Sequence, residues 1–147
     1  MKKRTAVIGA LVSLMPVGQM VLIGTGAVGV MLTVLEKAQA ESAASYFHQG
    51  KFKFKVEDYF GAIADFNKAI EIDPKYAKAY YNRGISKYYL EDYDGAIADF
   101  SKAIEINPSY DNAYYNRGRT NNALEDHEGA IADYTKAIEI NPRYVEA

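Results

Sequence analysis

Cysteine is absent from this 147-residue chain, and histidine occurs only twice. Without cysteine there is no disulfide framework and no thiolate metal site. The two histidines, His48 and His127, stand far apart with no acidic partner at metal-ligand spacing, so they read as surface or groove residues. No Ser/His/Asp constellation and no phosphate-cradling glycine loop is present. These residues imply no enzyme, no metal and no cofactor. An excess of positive charge is missing as well. The formal net charge is −2, and beyond residue 40 it becomes −5, from 13 basic and 18 acidic residues. A mildly acidic region without a basic stripe argues against nucleic acid as a partner.

Charge of either sign is missing from Thr5 to Leu35. The segment follows the basic start Met1-Lys2-Lys3-Arg4, contains Pro16 and several glycines, and is closed by Glu36-Lys37 and the small-x-small triplet Ala38-Gln39-Ala40. Residues 1–40 therefore form a hydrophobic leader of one of two kinds. The Ala-x-Ala site fits a secretory signal cleaved after Ala40. The length fits a retained anchor, because about 20 apolar residues span a bilayer and a signal's apolar region is usually about 7–15. Both readings put the basic end in the cytoplasm and the rest of the chain outside it. The expected location is thus exported or membrane-anchored.

What the chain has in abundance is itself. Residues 77–110 and 111–144 align without a gap and share 22 of 34 positions, and residues 43–76 share 20 of 34 with the middle copy. A fixed period near 34 marks stacked helix pairs, each burying its neighbour's apolar face. In the middle copy Tyr80, Tyr81, Gly84, Ile85, Tyr88 and Tyr89 recur at helical spacing, and Ala96, Ile97, Phe100, Ala103 and Ile104 form a second such face. Asp94 stands where a helix N-cap is expected, and Asn107-Pro108 ends the second helix. In the first copy Phe60 holds the place of Asp94, so a weaker helix start is expected there. Phe52-Lys53-Phe54-Lys55 alternates with a strand-like period of two, but the alignment places it in a helix. Gly84 and Ala96, with Gly50, Ala62, Gly118 and Ala130, let paired backbones approach.

Tyr80, Gly84, Leu90, Tyr93, Ala96, Phe100, Ala103 and Pro108, with their counterparts Tyr114, Gly118, Leu124, Ala130, Tyr134, Ala137 and Pro142, and Tyr46, Gly50, Tyr59, Ala62, Phe66, Ala69 and Pro74, resemble the tetratricopeptide repeat (TPR) family. The resemblance implies an all-α, right-handed solenoid of three helix–turn–helix repeats at 43–76, 77–110 and 111–144, behind the leader. Residues 145–147 would begin a truncated fourth repeat or a tail. Arg83 and Arg117 depart from the family's usual Leu, and His127 from the Tyr of the other copies. A phase match pairs Arg83 with Asp65 and Arg117 with Asp99 of the preceding repeat.

In the family, first helices line a concave groove that holds a peptide or a partner helix. By place in the repeat, the lining residues are Phe47, His48, Lys51, Phe54 and Lys55, then Lys78, Tyr81, Asn82, Ile85, Tyr88 and Tyr89, then Asn112, Tyr115, Asn116, Arg119 and Asn122. The tyrosines equally suit the seams between repeats. Asn82 and Asn116 resemble the asparagine ladder of the O-GlcNAc transferase superhelix, which holds a peptide by its backbone. Equally, Tyr-Asn-Arg-Gly is a common packing form of this repeat. The family's carboxylate clamp needs Lys, Asn, Asn, Lys and Arg where this chain has Phe47, Lys51, Asn82, Asn112 and Asn116. Only Asn82 fits, so chaperone C-terminal recognition is not implied. The expected function is a non-enzymatic interaction module with a protein or peptide partner. The alternative is a recruiting fragment of a larger enzyme or membrane-complex assembly factor, such as the TPR proteins that assist photosystem assembly. The stripe Ala130, Ile131, Tyr134, Ala137 and Ile138 is followed by too few residues to cover it, so either self-association through the last helix or a natural chain that continues past Ala147 is also expected.

Overall fold

The structure, a computed structural model, describes residues 42–145. The leader expected over residues 1–40 lies outside the described residues. Six α-helices follow in order: α1 Ala43–Lys55, α2 Tyr59–Ile72, α3 Ala77–Tyr89, α4 Tyr93–Ile106, α5 Asp111–Ala123 and α6 His127–Ile140. A 3-10 turn spans Pro142–Val145. There is no strand among the described residues, and the alternating Phe/Lys stretch lies within α1. No helix of the described residues is long and apolar enough to cross a membrane.

The helix starts differ from the expectation. Asp58, Asp92 and Asp126 are the N-caps of α2, α4 and α6. Each Oδ1 accepts from the backbone N–H three residues on, at 2.9 Å from Gly61, 3.0 Å from Gly95 and 3.0 Å from Gly129. Asp94 instead lies in the first turn of α4, where its charge suits the helix dipole. Phe60 therefore displaces no cap, but it leaves the first turn of α2 without the acidic residue that α4 and α6 have there. Each cap follows a glutamate with positive φ: Glu57, Glu91 and Glu125, at 62°, 61° and 62°. That left-handed residue reverses the chain between paired helices.

Each helix packs on the next along the chain. In addition α1 touches α3 and α3 touches α5, whereas α2, α4 and α6 do not touch one another. The row whose members meet lies at the smaller radius. Hence α1, α3 and α5 form the concave side of the array.

Within a pair the core is a ring against a glycine. Phe66 and Phe100 are 0 % exposed. A Cβ on Gly84 would stand 2.8 Å from Phe100 Cε1, so only glycine lets α3 lie on that ring. Ala62, Ala69, Ala96 and Ala103 are buried beside it. Between pairs, the buried residues are Ala79 and Ser86 on α3 and Ala113 and Thr120 on α5. The Ser86 hydroxyl donates to the Asn82 carbonyl at 3.0 Å, and that of Thr120 donates to the Asn116 carbonyl at 2.7 Å, so neither is an orphan. The expected face Tyr80–Tyr89 is thus not the most deeply buried one; Tyr89 is exposed.

The arginine pairing also departs from the expectation. Arg83 pairs with Asp99 and Arg117 with Asp133, in their own repeats and not the preceding ones. Each guanidinium is bidentate, through Nε and Nη2. The third nitrogen reaches back instead to a neutral acceptor. Arg83 Nη1 donates to Asn67 Oδ1 at 2.6 Å, and Arg117 Nη1 donates to Ser101 Oγ at 2.9 Å. In the first pair Gln49 replaces the arginine. There Lys53 Nζ lies 2.7 Å from Asp65 Oδ2, within ion-pair range but off the line a hydrogen bond needs, so this buried oxygen accepts none.

Candidate functional site

The concave row carries the residues expected to bind. Phe47 is buried, packed on Phe66 and Tyr76, with Lys51 Nζ 5.7 Å from its ring centre. Tyr81 holds the equivalent place against Phe100 and Tyr110, and Tyr115 against Tyr134 and Tyr144. These rings fill the seams, with the repeat-ending tyrosines Tyr76, Tyr110 and Tyr144 as partners. Phe47 is thus a support under the groove and not part of its open surface. Tyr81 shows its hydroxyl, which accepts from Asn116 Nδ2 at 3.0 Å.

The two asparagines lie differently. Asn116 Nδ2 also donates to its own helix at the Asn112 carbonyl, at 2.9 Å, and its Oδ1 accepts from Arg119 Nη1 at 3.3 Å. Asn82 Nδ2 donates to the Lys78 carbonyl at 2.7 Å, and its Oδ1 has no hydrogen-bond donor among the described residues. Arg119 is exposed, with its guanidinium 5.0 Å from the centre of the Tyr88 ring. It therefore links the second and third pairs across the concave side. His48, Lys51 and Lys78 are exposed and Ile85 half-buried. Tyr144 was missed: its hydroxyl donates to Asn112 Oδ1 at 2.6 Å and its ring stacks on Tyr115, closing one end of the groove. The recurrence of Tyr76, Tyr110 and Tyr144 every 34 residues was the signal for it.

The six concave places in the three copies include the cations Lys51, Lys55, Lys78 and Arg119 and no carboxylate. The acidic excess lies elsewhere. Asp65, Asp99 and Asp133 are buried in the ion pairs above, and the carboxylates of the turns from Glu57, Glu91 and Glu125 are exposed on an edge. His127 Nδ1 lies 3.1 Å from Asn122 Oδ1, where the other copies pair aromatic rings, Phe54 with Tyr59 and Tyr88 with Tyr93. Among the described residues no three His, Cys, Asp or Glu side chains converge as a metal site would require.

Burial raises Tyr81 from its ordinary 10.0 to about 12, helped by Tyr144 and Asp111 and opposed by Arg119 and the Asn116 hydrogen bond. Tyr110 is pushed up in the same direction, first by burial and then by Tyr81 and Asp111. Folding thus holds Tyr81 neutral where the unfolded chain ionises it. The resulting contribution is complete below about 10 and is lost as pH rises through about 12. Urea titrations from neutral to alkaline pH should show stability falling over that window, and Tyr81→Phe should shallow the fall.

Family profiles match this geometry. The Tetratricopeptide repeat profile covers residues 77–110 and 112–144, and a TPR repeat profile covers residues 44–88. The chain belongs to the tetratricopeptide repeat family. Among solved structures, the first TPR of Spaghetti (RPAP3) bound to the HSP90 peptide SRMEEVD is 31% identical, with a TM-score of 0.67 over 68% of this chain and 79% of that one. The Arabidopsis OM64 TPR domain is 25% identical, TM-score 0.69, over 71% and 87%. The TPR2B domain of yeast Sti1, in complex with an Hsp70 peptide, is 27% identical, TM-score 0.67, over 69% and 81%. No match was found among curated protein sequences. TPR domains of this kind are protein-interaction scaffolds, and no catalytic family is indicated.

Proposed function

We propose that this TPR domain holds an extended, acidic segment of a protein partner on the concave row of α1, α3 and α5. One observation carries the reading: a region with net charge −5 has lysine and arginine but no carboxylate at its six concave places. Lys51, Lys78 and Arg119 supply the field, and the free Asn82 Oδ1 and the Tyr81 hydroxyl supply backbone-matching hydrogen bonds. The acidic peptide bound by the RPAP3 relative supports the ligand class. The mode would differ from the carboxylate clamp, because Phe47, Lys51, Asn112 and Asn116 stand at four of its five places. We also propose that the leader directs the repeats out of the cytoplasm, either cleaved after Ala40 or retained as an anchor. N-terminal sequencing of protein from its native host would decide, and an intact leader on a soluble cytoplasmic form would end both.

The groove reading is tested by fluorescence anisotropy with SRMEEVD and its glutamine-substituted form as probes. The acidic peptide should bind better, more weakly as salt rises, and about tenfold more weakly to Arg119→Glu, as loss of a charged hydrogen bond implies. Equal binding of the two peptides would refute the acidic preference. Unchanged affinity for an Asn82→Ala/Asn116→Ala double variant that keeps its fold would refute the asparagine contacts.

A further inference from the structure

Phe54, Tyr88 and Tyr89, expected along the groove, gather with Tyr59 and Tyr93 in a shelf of rings where first helices end and second helices begin. Tyr59 and Tyr89 lie stacked, 5.1 Å between centres and 8° between planes. Phe54 meets both edge-on, at 5.4 and 5.6 Å. Tyr88 stands edge-on to Tyr89 at 6.0 Å, and Tyr93 lies 5.4 Å from Tyr88. The shelf joins α1, α2, α3 and α4, so it crosses a boundary inside the array. Packing does not require it. Lys55 and Ala123 hold the place of Tyr89 in the other copies, Asn122 that of Phe54 and Tyr88, and His127 that of Tyr59 and Tyr93. Tyr89 is 53% exposed, so its ring is spread on the surface and not sunk in a seam. Nor do hydrogen bonds explain the tyrosines. Among the described residues the hydroxyls of Tyr59, Tyr88, Tyr89 and Tyr93 have no hydrogen-bond partner, unlike those of Tyr81 and Tyr144. The turns into Tyr59 and Tyr93 add Glu57-Asp58 and Glu91-Asp92, all exposed and none in an ion pair among the described residues. The Tyr59 hydroxyl is pushed above its ordinary 10.0, first by desolvation and then by the charge of Glu57, which therefore stands within electrostatic reach of the stack.

We infer that this shelf docks an extended, proline-rich and basic segment of a partner protein. Exposed ring faces suit proline rings. A polyproline helix keeps its carbonyls free to accept from tyrosine hydroxyls, and its preset shape loses little entropy on binding. Charge complementarity selects the residues between the prolines. Glu57 and Glu91 attract arginine, and the shelf already takes one guanidinium, that of Arg119, 5.0 Å from the centre of the Tyr88 ring. Tyr89 offers the same kind of face in the open. Lys55 is a single exposed cation beside these carboxylates, so an acidic segment is disfavoured here. A flexible basic segment would gain the charges but not the ring contacts. The preference is opposite in sign to that of the concave row, so the two surfaces take different ligands.

The test uses the full chain and three labelled synthetic peptides, PPRPPRPPR, GGRGGRGGR and PPEPPEPPE, with binding followed by fluorescence anisotropy. The first should bind, and the other two should bind about tenfold more weakly, one for want of a preset shape and one for want of charge. Tyr89→Ala should weaken the first about tenfold, as expected of one lost aromatic contact. Tyr89 is exposed, so that variant should keep its helicity by circular dichroism. Tyr89→Phe keeps the stack in any case and should weaken binding about threefold through the lost hydroxyl. Glu57→Gln with Glu91→Gln should weaken it about fivefold and flatten its dependence on salt. The Asn82→Ala/Asn116→Ala variant, altered only on the concave row, should bind it as before. Failure of PPRPPRPPR to bind, equal binding of GGRGGRGGR or PPEPPEPPE, or an affinity indifferent to both Tyr89 variants would overturn the inference.

Discussion

Phe100→Ala should destabilise the domain by about 3–5 kcal/mol, the usual cost of removing a buried aromatic ring. The ring is 0 % exposed and lies against Gly84 on one side and Tyr81 on the other. Its loss opens the second pair at its centre, so both flanking boundaries loosen with it. The fit has a further consequence. Gly84→Ala places a methyl 2.8 Å from the ring in the native background, which overpacks the crossing, but should cost far less once Phe100 is alanine. The double variant should therefore lose less stability than the sum of the two single losses. Urea unfolding of the four proteins measures it. Additive effects would show that the glycine is not held there by the ring. Tyr134→Ala, whose ring is only half-buried, should cost less than Phe100→Ala.

Asp99→Ala should cost a similar amount, about 3–5 kcal/mol, because it leaves charged partners in a largely buried site. Asp99 is bidentate to Arg83 and lies 2.9 Å from Lys87 Nζ, with side-chain exposures of 5%, 18% and 21%. The arginine also ties the boundary through Asn67, so the loss should spread to the first pair. Arg83→Lys should fail to restore it, since a point charge cannot make the two parallel bonds and the third one back. Asp65→Ala should cost clearly less, because Lys53 is its charge partner, is 37% exposed, and makes no hydrogen bond to the facing oxygen. Equal losses at Asp65 and Asp99 would show that the guanidinium adds nothing beyond its charge. Gln49→Arg then offers the converse result, a gain in the stability of the first pair.

The arginines show where reading the chain reached its limit. Arg83 is separated from Asp65 and from Asp99 by nearly equal stretches, and a repeat offers both partners in the same phase. Only the antiparallel crossing of α3 and α4 decides, since it brings positions 16 apart face to face. The helix caps failed for a related reason. Asp92 and Asp94 are both acidic and both near the start of α4, and the choice depends on the left-handed Glu91 that turns the chain into the cap. Ser86 and Thr120 were overlooked because a polar residue on a helix normally signals the surface. Here their size was the point, and the hydroxyls are satisfied within their own helices.

By itself the sequence determined the unit, its period and its two helices, because apolar spacing and a 34-residue self-match depend only on local order along the chain. It also placed small residues, Gly84 and Ala96 among them, on both helices of a pair, although the ring of Phe100 lying against Gly84 appeared only in the structure, and through the family's motif it pointed to the first helices as the expected binding side. Tertiary structure decided which residues face a neighbouring repeat and which face open space. Phe47 and Tyr81 went into the seams, Lys51, Lys78 and Arg119 stayed open, and one apolar stripe was left with little cover on α6. The physical reason is curvature. Identical places in successive copies become unequal once first helices touch across the array and second helices splay apart, and that inequality is a property of the stack.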